Sequence, residues 1–151
     1  MNLDERYSLL YEETQKHIRR IKEAFRNIDK NVGMPLSSDK VSDILNNEEQ
    51  TAFLDQIAYR YSKIQDNLGK LIRLYLYLKG ENTENMTMID VLNIAEKYGI
   101  DINKEKWFEL RNLRNMIVHE YESHTQRIAE AVNRIYREID YITELLKRLK
   151  V

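Results

Sequence analysis

Apolar residues recur along this chain at the three- and four-residue steps of a helical face, with lysine, arginine and glutamate between them. From Leu3 to about Asp29 the face is Tyr7, Leu10, Ile18, Ile21, Phe25 and Ile28, which predicts a long amphipathic helix. Residues 31–38 hold Gly33 and the only proline, Pro35, so they read as a connection, with room for a short helix from about Ser38 to Leu45. Asn47-Glu48-Glu49-Gln50 resembles a capping box and opens a second long helix through Phe53, Ile57, Tyr61, Ile64, Leu68, Leu71, Tyr75 and Leu78, with Gly80 as its stop. Thr87 can cap a shorter helix ending at Tyr98-Gly99, and either Asp101 or Asn103 starts the next, through Trp107, Leu110, Leu113 and Ile117. Ser123-His124-Thr125-Gln126 resembles another capping box, which puts a boundary near residues 120–122. The last helix carries Ile128, Val132, Ile135, Ile139, Ile142, Leu146 and Leu149 on one stripe.

No repeat, low-complexity tract or linker interrupts this pattern, so residues 1–151 are expected to form a single domain. The expected fold is all-α: an antiparallel bundle of four long helices with one or two short accessory helices. A composition 42% hydrophobic and 32% charged, with four glycines, agrees with helices, and the length suffices to bury a core without staples. Ten tyrosines raise the alternative of stacking surfaces for bases, but Tyr7, Tyr61 and Tyr75 fall in register with the apolar stripes, as packing residues do.

Charge and cysteine content narrow the chemistry. The 24 basic and 25 acidic residues nearly cancel, so binding to nucleic acid must rest on a local patch. Without cysteine there is no disulfide, thiolate metal site or thiol nucleophile. Charges interrupt the N-terminal stretch every few residues and no stretch approaches a membrane span, so a cytoplasmic protein with no membrane partner is expected.

The densest chemistry is Arg114-Asn115-Met116-Ile117-Val118-His119-Glu120-Tyr121. At about 100° per residue, Leu110, Leu113 and Ile117 make a narrow core stripe, Arg114 and Tyr121 fall together beside it, and Arg111, Asn115 and His119 climb away at four-residue spacing. Trp107, Phe108 and Val118 share that sector, which predicts a partner surface. Arginine offers a permanent charge and a rigid donor fork to a phosphate, asparagine four residues before histidine can orient the ring, and histidine transfers protons near neutral pH. Those are the tasks of RNA cleavage by its own 2′-hydroxyl, which needs no metal. Taken singly, each residue is also what a solvated helix end would carry.

Arg114-Asn115-x-x-x-His119-x-Tyr121 resembles the Arg-x4-His-x-Tyr signature of the HepT branch of the HEPN superfamily, toxins partnered by minimal nucleotidyltransferase antitoxins. The matching stretch is eight residues long, and all four marked positions agree. The resemblance implies a metal-independent endoribonuclease without cofactor, acting on RNA as a homodimer with the motif helices facing each other across a cleft. It further implies that Arg114 binds the scissile phosphate, His119 acts as general acid or base, Asn115 orients them, and Tyr121 is the hydroxyl that the antitoxin adenylylates.

Competing chemistries find less support. His119-Glu120-Tyr121-Glu122-Ser123 fails the His-Glu-x-x-His zinc pattern at its fifth residue, and there are no paired Glu-x-x-His motifs for a di-iron site. Glycine-rich phosphate loops and a Gly-x-Ser-x-Gly elbow are absent. The rival from another class is a non-catalytic helical partner or substrate-binding subunit of a nucleotidyltransferase. A purely structural dimerising bundle, in which the polar motif is incidental, is the third reading.

Overall fold

The computed structural model describes residues 1–119 and 124–151, His119 by its backbone alone. Among these residues the chain is helical throughout, with α1 (Leu3–Asn31), α2 (Ser38–Leu45), α3 (Glu48–Leu78), α4 (Met88–Lys97), α5 (Lys104–His119) and α6 (Thr125–Arg148) and no strand. None of these helices is long and apolar enough to cross a membrane.

The helices begin where side chains satisfy the otherwise orphan first-turn N–H groups. Asn47 Oδ1 accepts from Gln50 N at 3.0 Å, Thr87 Oγ1 from Asp90 N at 3.2 Å, and Asn103 Oδ1 from Lys106 N at 2.8 Å. Asn103, not Asp101, is therefore the cap of α5. The start of α6 differs from the capping box expected at Ser123–Gln126, of which Ser123 lies outside the described residues. The cap residue is His124, whose side chain caps nothing. Gln126 thus sits one position too early to reach back as a box requires, and its amide donates to Glu130 instead, at 3.2 Å.

Gly80 and Gly99 close α3 and α4 with φ of 98° and 78°, a left-handed conformation that side chains rarely adopt. After α3, Glu81 N donates to Leu76 O and Gly80 N to Tyr77 O; after α4, Ile100 N donates to Ala95 O and Gly99 N to Glu96 O. Each is the paired closure of a Schellman motif, and the buried Ile100 adds the apolar contact that accompanies it.

One apolar cluster takes residues from all six helices. The predicted stripes supply most of it, with Leu10, Phe53 and Leu78 at its margin. Helix α1 lies along α3 in the opposite chain direction, since Tyr7 meets Tyr75 while the later His17 meets the earlier Arg60. It lies against α6 in the same opposed sense: Tyr11 hydroxyl donates to Leu146 O at 2.9 Å, and the Phe25 ring meets the Tyr136 ring at a tilt with centroids 5.0 Å apart. Tyr7 hydroxyl donates to Leu149 O, and burial raises its pKa far above the usual range, so it remains a donor. Asn133 of α6 bonds both backbone groups of Leu36 and thereby ties the connection before α2 to the core.

Trp107 departs from the expected partner surface. It is 5% exposed and packs on Gly69 of α3, where an added Cβ would come within 3.2 Å of the indole. The missing side chain on α3 is what admits the ring. Phe108 and Val118, its expected companions, are 44% and 46% exposed.

Candidate functional site

Helix α5 is held by α3 on one side and α6 on the other. On the α3 side the Tyr61 hydroxyl donates to Leu110 O at 2.7 Å. Tyr61 is fully buried, and its pKa is driven upward by that burial, with Glu138 and Glu109 adding to the effect, so it donates throughout the working pH range. On the α6 side Arg134 pairs with Glu109, and Lys106 with Glu138. This clamp sets the rotation of α5, and with it the direction in which Arg114 and Asn115 face.

Arg114 turns toward α3. Its Nη2 lies 3.6 Å from Asp66 Oδ2, and its Nη1 donates to Asn115 Oδ1 at 3.3 Å. The side chain is about one-third exposed. Its Nε is buried with no hydrogen-bond partner among the described residues. The guanidinium is thus positioned by two neighbours at the outer part of its fork and still open to solvent, the state in which a cation can receive an anionic oxygen. Asn115 stands at the edge of an open groove of about 660 Å³ that is also lined by Phe108, Arg111 and Asn112.

Arg114 and Asn115 are therefore brought together, one turned toward α3 and the other toward the groove. His119 ends α5, but its side chain and the whole of Tyr121 lie outside the described residues. The pairing of Arg114 with Asp66 was not legible in the sequence: Asp66 falls among exposed positions of α3, and nothing in its spacing singles it out. Among the described residues no group of three or more histidines and carboxylates is arranged to hold a metal ion. No family model matches this chain, and no characterised protein or solved structure matches it significantly. The site must be judged on its own residues.

A second polar cluster lies on the same helix, α3, where it meets α1. Arg60 Nη1 donates to His17 Nδ1 at 2.9 Å. Arginine only donates, so Nδ1 must accept, and His17 is neutral with its proton on Nε2, 3.5 Å from Glu13 Oε1. Its pKa is lowered chiefly by burial and then by Arg60 and Lys63, against the opposing pull of Glu13. Between the lowered folded value and the ordinary value of about 6.5, the unfolded chain binds a proton that the folded one refuses, so stability is complete above that range and falls as pH drops through it. Urea midpoints followed by circular dichroism should decline from about pH 7 toward pH 5, and His17→Gln should flatten that part of the slope. An unchanged slope in the variant would assign the decline to other groups.

Proposed function

We propose that this chain is a metal-independent endoribonuclease of the HepT-like HEPN type, a toxin that cuts RNA at a site composed from two copies of itself. The observation that carries the reading is the Arg114–Asn115 pair on α5: a partly exposed guanidinium held toward Asp66, with His119 five residues after Arg114 in a signature of matching spacing. In the proposed reaction the RNA 2′-oxygen attacks the adjacent phosphorus, the bond to the 5′-oxygen breaks, and a 2′,3′-cyclic phosphate forms. One His119 removes the 2′-hydroxyl proton and the His119 of the second copy gives a proton to the departing 5′-oxygen. Arg114 stabilises the charge on the phosphorane oxygens, which is the demand a fixed donor fork meets best.

The same reading treats the molecule as an antiparallel bundle of four long helices, α1, α3, α5 and α6, with α2 and α4 as accessories. It also supplies a use for the exposed face of α5. Phe108, Arg111, Asn115 and Val118 follow one another at helical spacing, so an exposed apolar residue stands at either end of a polar middle, a pattern suited to a two-fold homodimer contact. The direct test is incubation of the purified chain with RNA in chelator, followed by analysis of product ends. Cyclic phosphate ends support the proposal; no cleavage under any condition would leave the chain as a non-catalytic helical partner of a nucleotidyltransferase.

Regulation by that antitoxin partner falls on Tyr121, the tyrosine of the signature, seven residues after Arg114 in the sequence. An AMP attached to its hydroxyl places a phosphodiester anion and a bulky nucleoside where the RNA phosphate must approach Arg114. With the nucleotidyltransferase and ATP supplied, the unaltered chain should lose cleavage and gain the mass of AMP, whereas Tyr121→Phe should keep cutting. Equal silencing of both, with no mass gain, would remove Tyr121 from the site.

A further inference from the structure

Tyr59 of α3 is 53% exposed, the most open of the three exposed tyrosines among the described residues, the others being Tyr77 and Tyr136. Three groups surround its ring. Arg60 Cζ lies 5.3 Å and Lys63 Nζ 5.8 Å from the ring centroid, and the His17 ring meets it edge-on with centroids 6.2 Å apart. Arg60 is not a loose surface side chain. The buried, neutral His17 accepts from its Nη1, and the Gln56 carbonyl, in the amide orientation that satisfies both residues, accepts from its Nε and Nη2. A half-exposed aromatic ring thus has two cations over it, one of them held in place by His17 and Gln56.

The ordinary explanation, cation–π pairing at a surface, accounts for the Arg60 contact but not for the buried histidine and the half-buried Gln56 amide that organise it. Single-stranded nucleic acid needs this combination: a ring on which a base can stack, and fixed positive charge for the flanking phosphates. An acidic peptide would use the charges and leave the ring idle. Tyr59 and Asp66 are seven residues apart, so they share one face of α3 about 10 Å from each other, and Asp66 is the residue that holds Arg114. The strip from Tyr59 through Lys63 to Asp66 therefore leads to the motif arginine.

We propose that Tyr59, flanked by Arg60 and Lys63, is a stacking platform for a base of single-stranded RNA whose neighbouring phosphate is held at Arg114. The platform rests on the ribonuclease reading for its substrate, and it explains how a chain of net charge −1 attracts a polyanion through a local patch. It lies on α3 and includes no residue of the α5 face assigned to the homodimer contact.

The test uses an oligouridine of about ten nucleotides, too simple in sequence to form pairs, bound to the full His119→Ala chain so that the RNA survives. Fluorescence anisotropy should show Kd rising about tenfold with Tyr59→Ala and by a smaller factor with Lys63→Gln. Tyr59→Phe, which keeps the ring, should restore binding to within about twofold of the parent. Circular dichroism should be unchanged in all three, since the position is exposed. With 5-iodouridine in the strand, photocrosslinks should map to Tyr59. In the chain with His119 intact, Tyr59→Ala should raise KM and leave kcat nearly unaltered. RNA bound and cut equally well by Tyr59→Ala would overturn the platform and leave the ribonuclease standing. Tyr59-dependent binding without any cleavage by the unaltered chain would sustain the platform and overturn the ribonuclease. Tighter Tyr59-dependent binding of polyglutamate than of RNA would overturn the platform in favour of an acidic protein partner, and no RNA binding at all would overturn both.

Discussion

His119→Ala is expected to lower RNA cleavage by about 10²- to 10⁴-fold, the usual contribution of a positioned proton-transfer group. Neither Arg114 nor Asn115 can replace it, because arginine does not deprotonate at neutral pH and the asparagine amide does not titrate. Helical content should be unaffected, and so should binding of the oligouridine, which separates loss of chemistry from loss of substrate. Arg114→Lys is the companion measurement: it keeps the charge and removes the planar fork, so cleavage should fall while the ion pair with Asp66 can still form. Full activity of His119→Ala, or strict dependence of the unaltered chain on a divalent metal, would sink the mechanism.

Trp107→Ala should destabilise the fold by about 3–5 kcal/mol, the range for removing a large aromatic side chain from a core. The ring fills the space that Gly69 leaves on α3 and is almost wholly buried, so its loss opens a cavity between α3 and α5 beside the contacts that set the rotation of α5. Urea unfolding followed by circular dichroism is the measurement, since Trp107 is the only tryptophan and its fluorescence disappears with it. A change below about 1 kcal/mol would mean that the ring is a surface residue after all. Phe108→Ser is the contrasting substitution. Phe108 is the neighbouring residue but faces outward, so the core should survive while light scattering shows a shift from about twice 18.2 kDa toward the monomer mass. A monomeric unaltered chain that still cleaves RNA would remove the need for a composite site.

Trp107 and Phe108 also mark where sequence reasoning and tertiary structure part company. Consecutive positions differ by about 100° on a helix, so periodicity puts Trp107 at the border between the stripe of Leu110, Leu113 and Ile117 and the polar sector, and Phe108 well inside that sector. That the border residue Trp107 enters the core depended on a glycine in another helix. The position of Arg114 has the same origin: spacing places it beside the stripe, but only the packing of α3 on α5, secured by Tyr61 and Trp107, brings Asp66 to its guanidinium. Tyr59 belongs here too, since its cluster combines residues of α1 with residues of α3 that no local pattern relates.

What the sequence determined by itself was local. The helices and most of their core stripes follow from apolar spacing, and the ends of α3 and α4 follow from Asn47, Gly80, Thr87 and Gly99, whose interactions reach only three to five residues along the chain. The all-α class is the sum of those local preferences. The tertiary structure decided everything that needed two helices at once: the burial of Trp107, the exposure of Phe108, the Asp66–Arg114 pair and the histidine-held arginine beside Tyr59. Helical periodicity specifies which residues share a face, and it carries no information about the side chains on the opposing helix that will meet them.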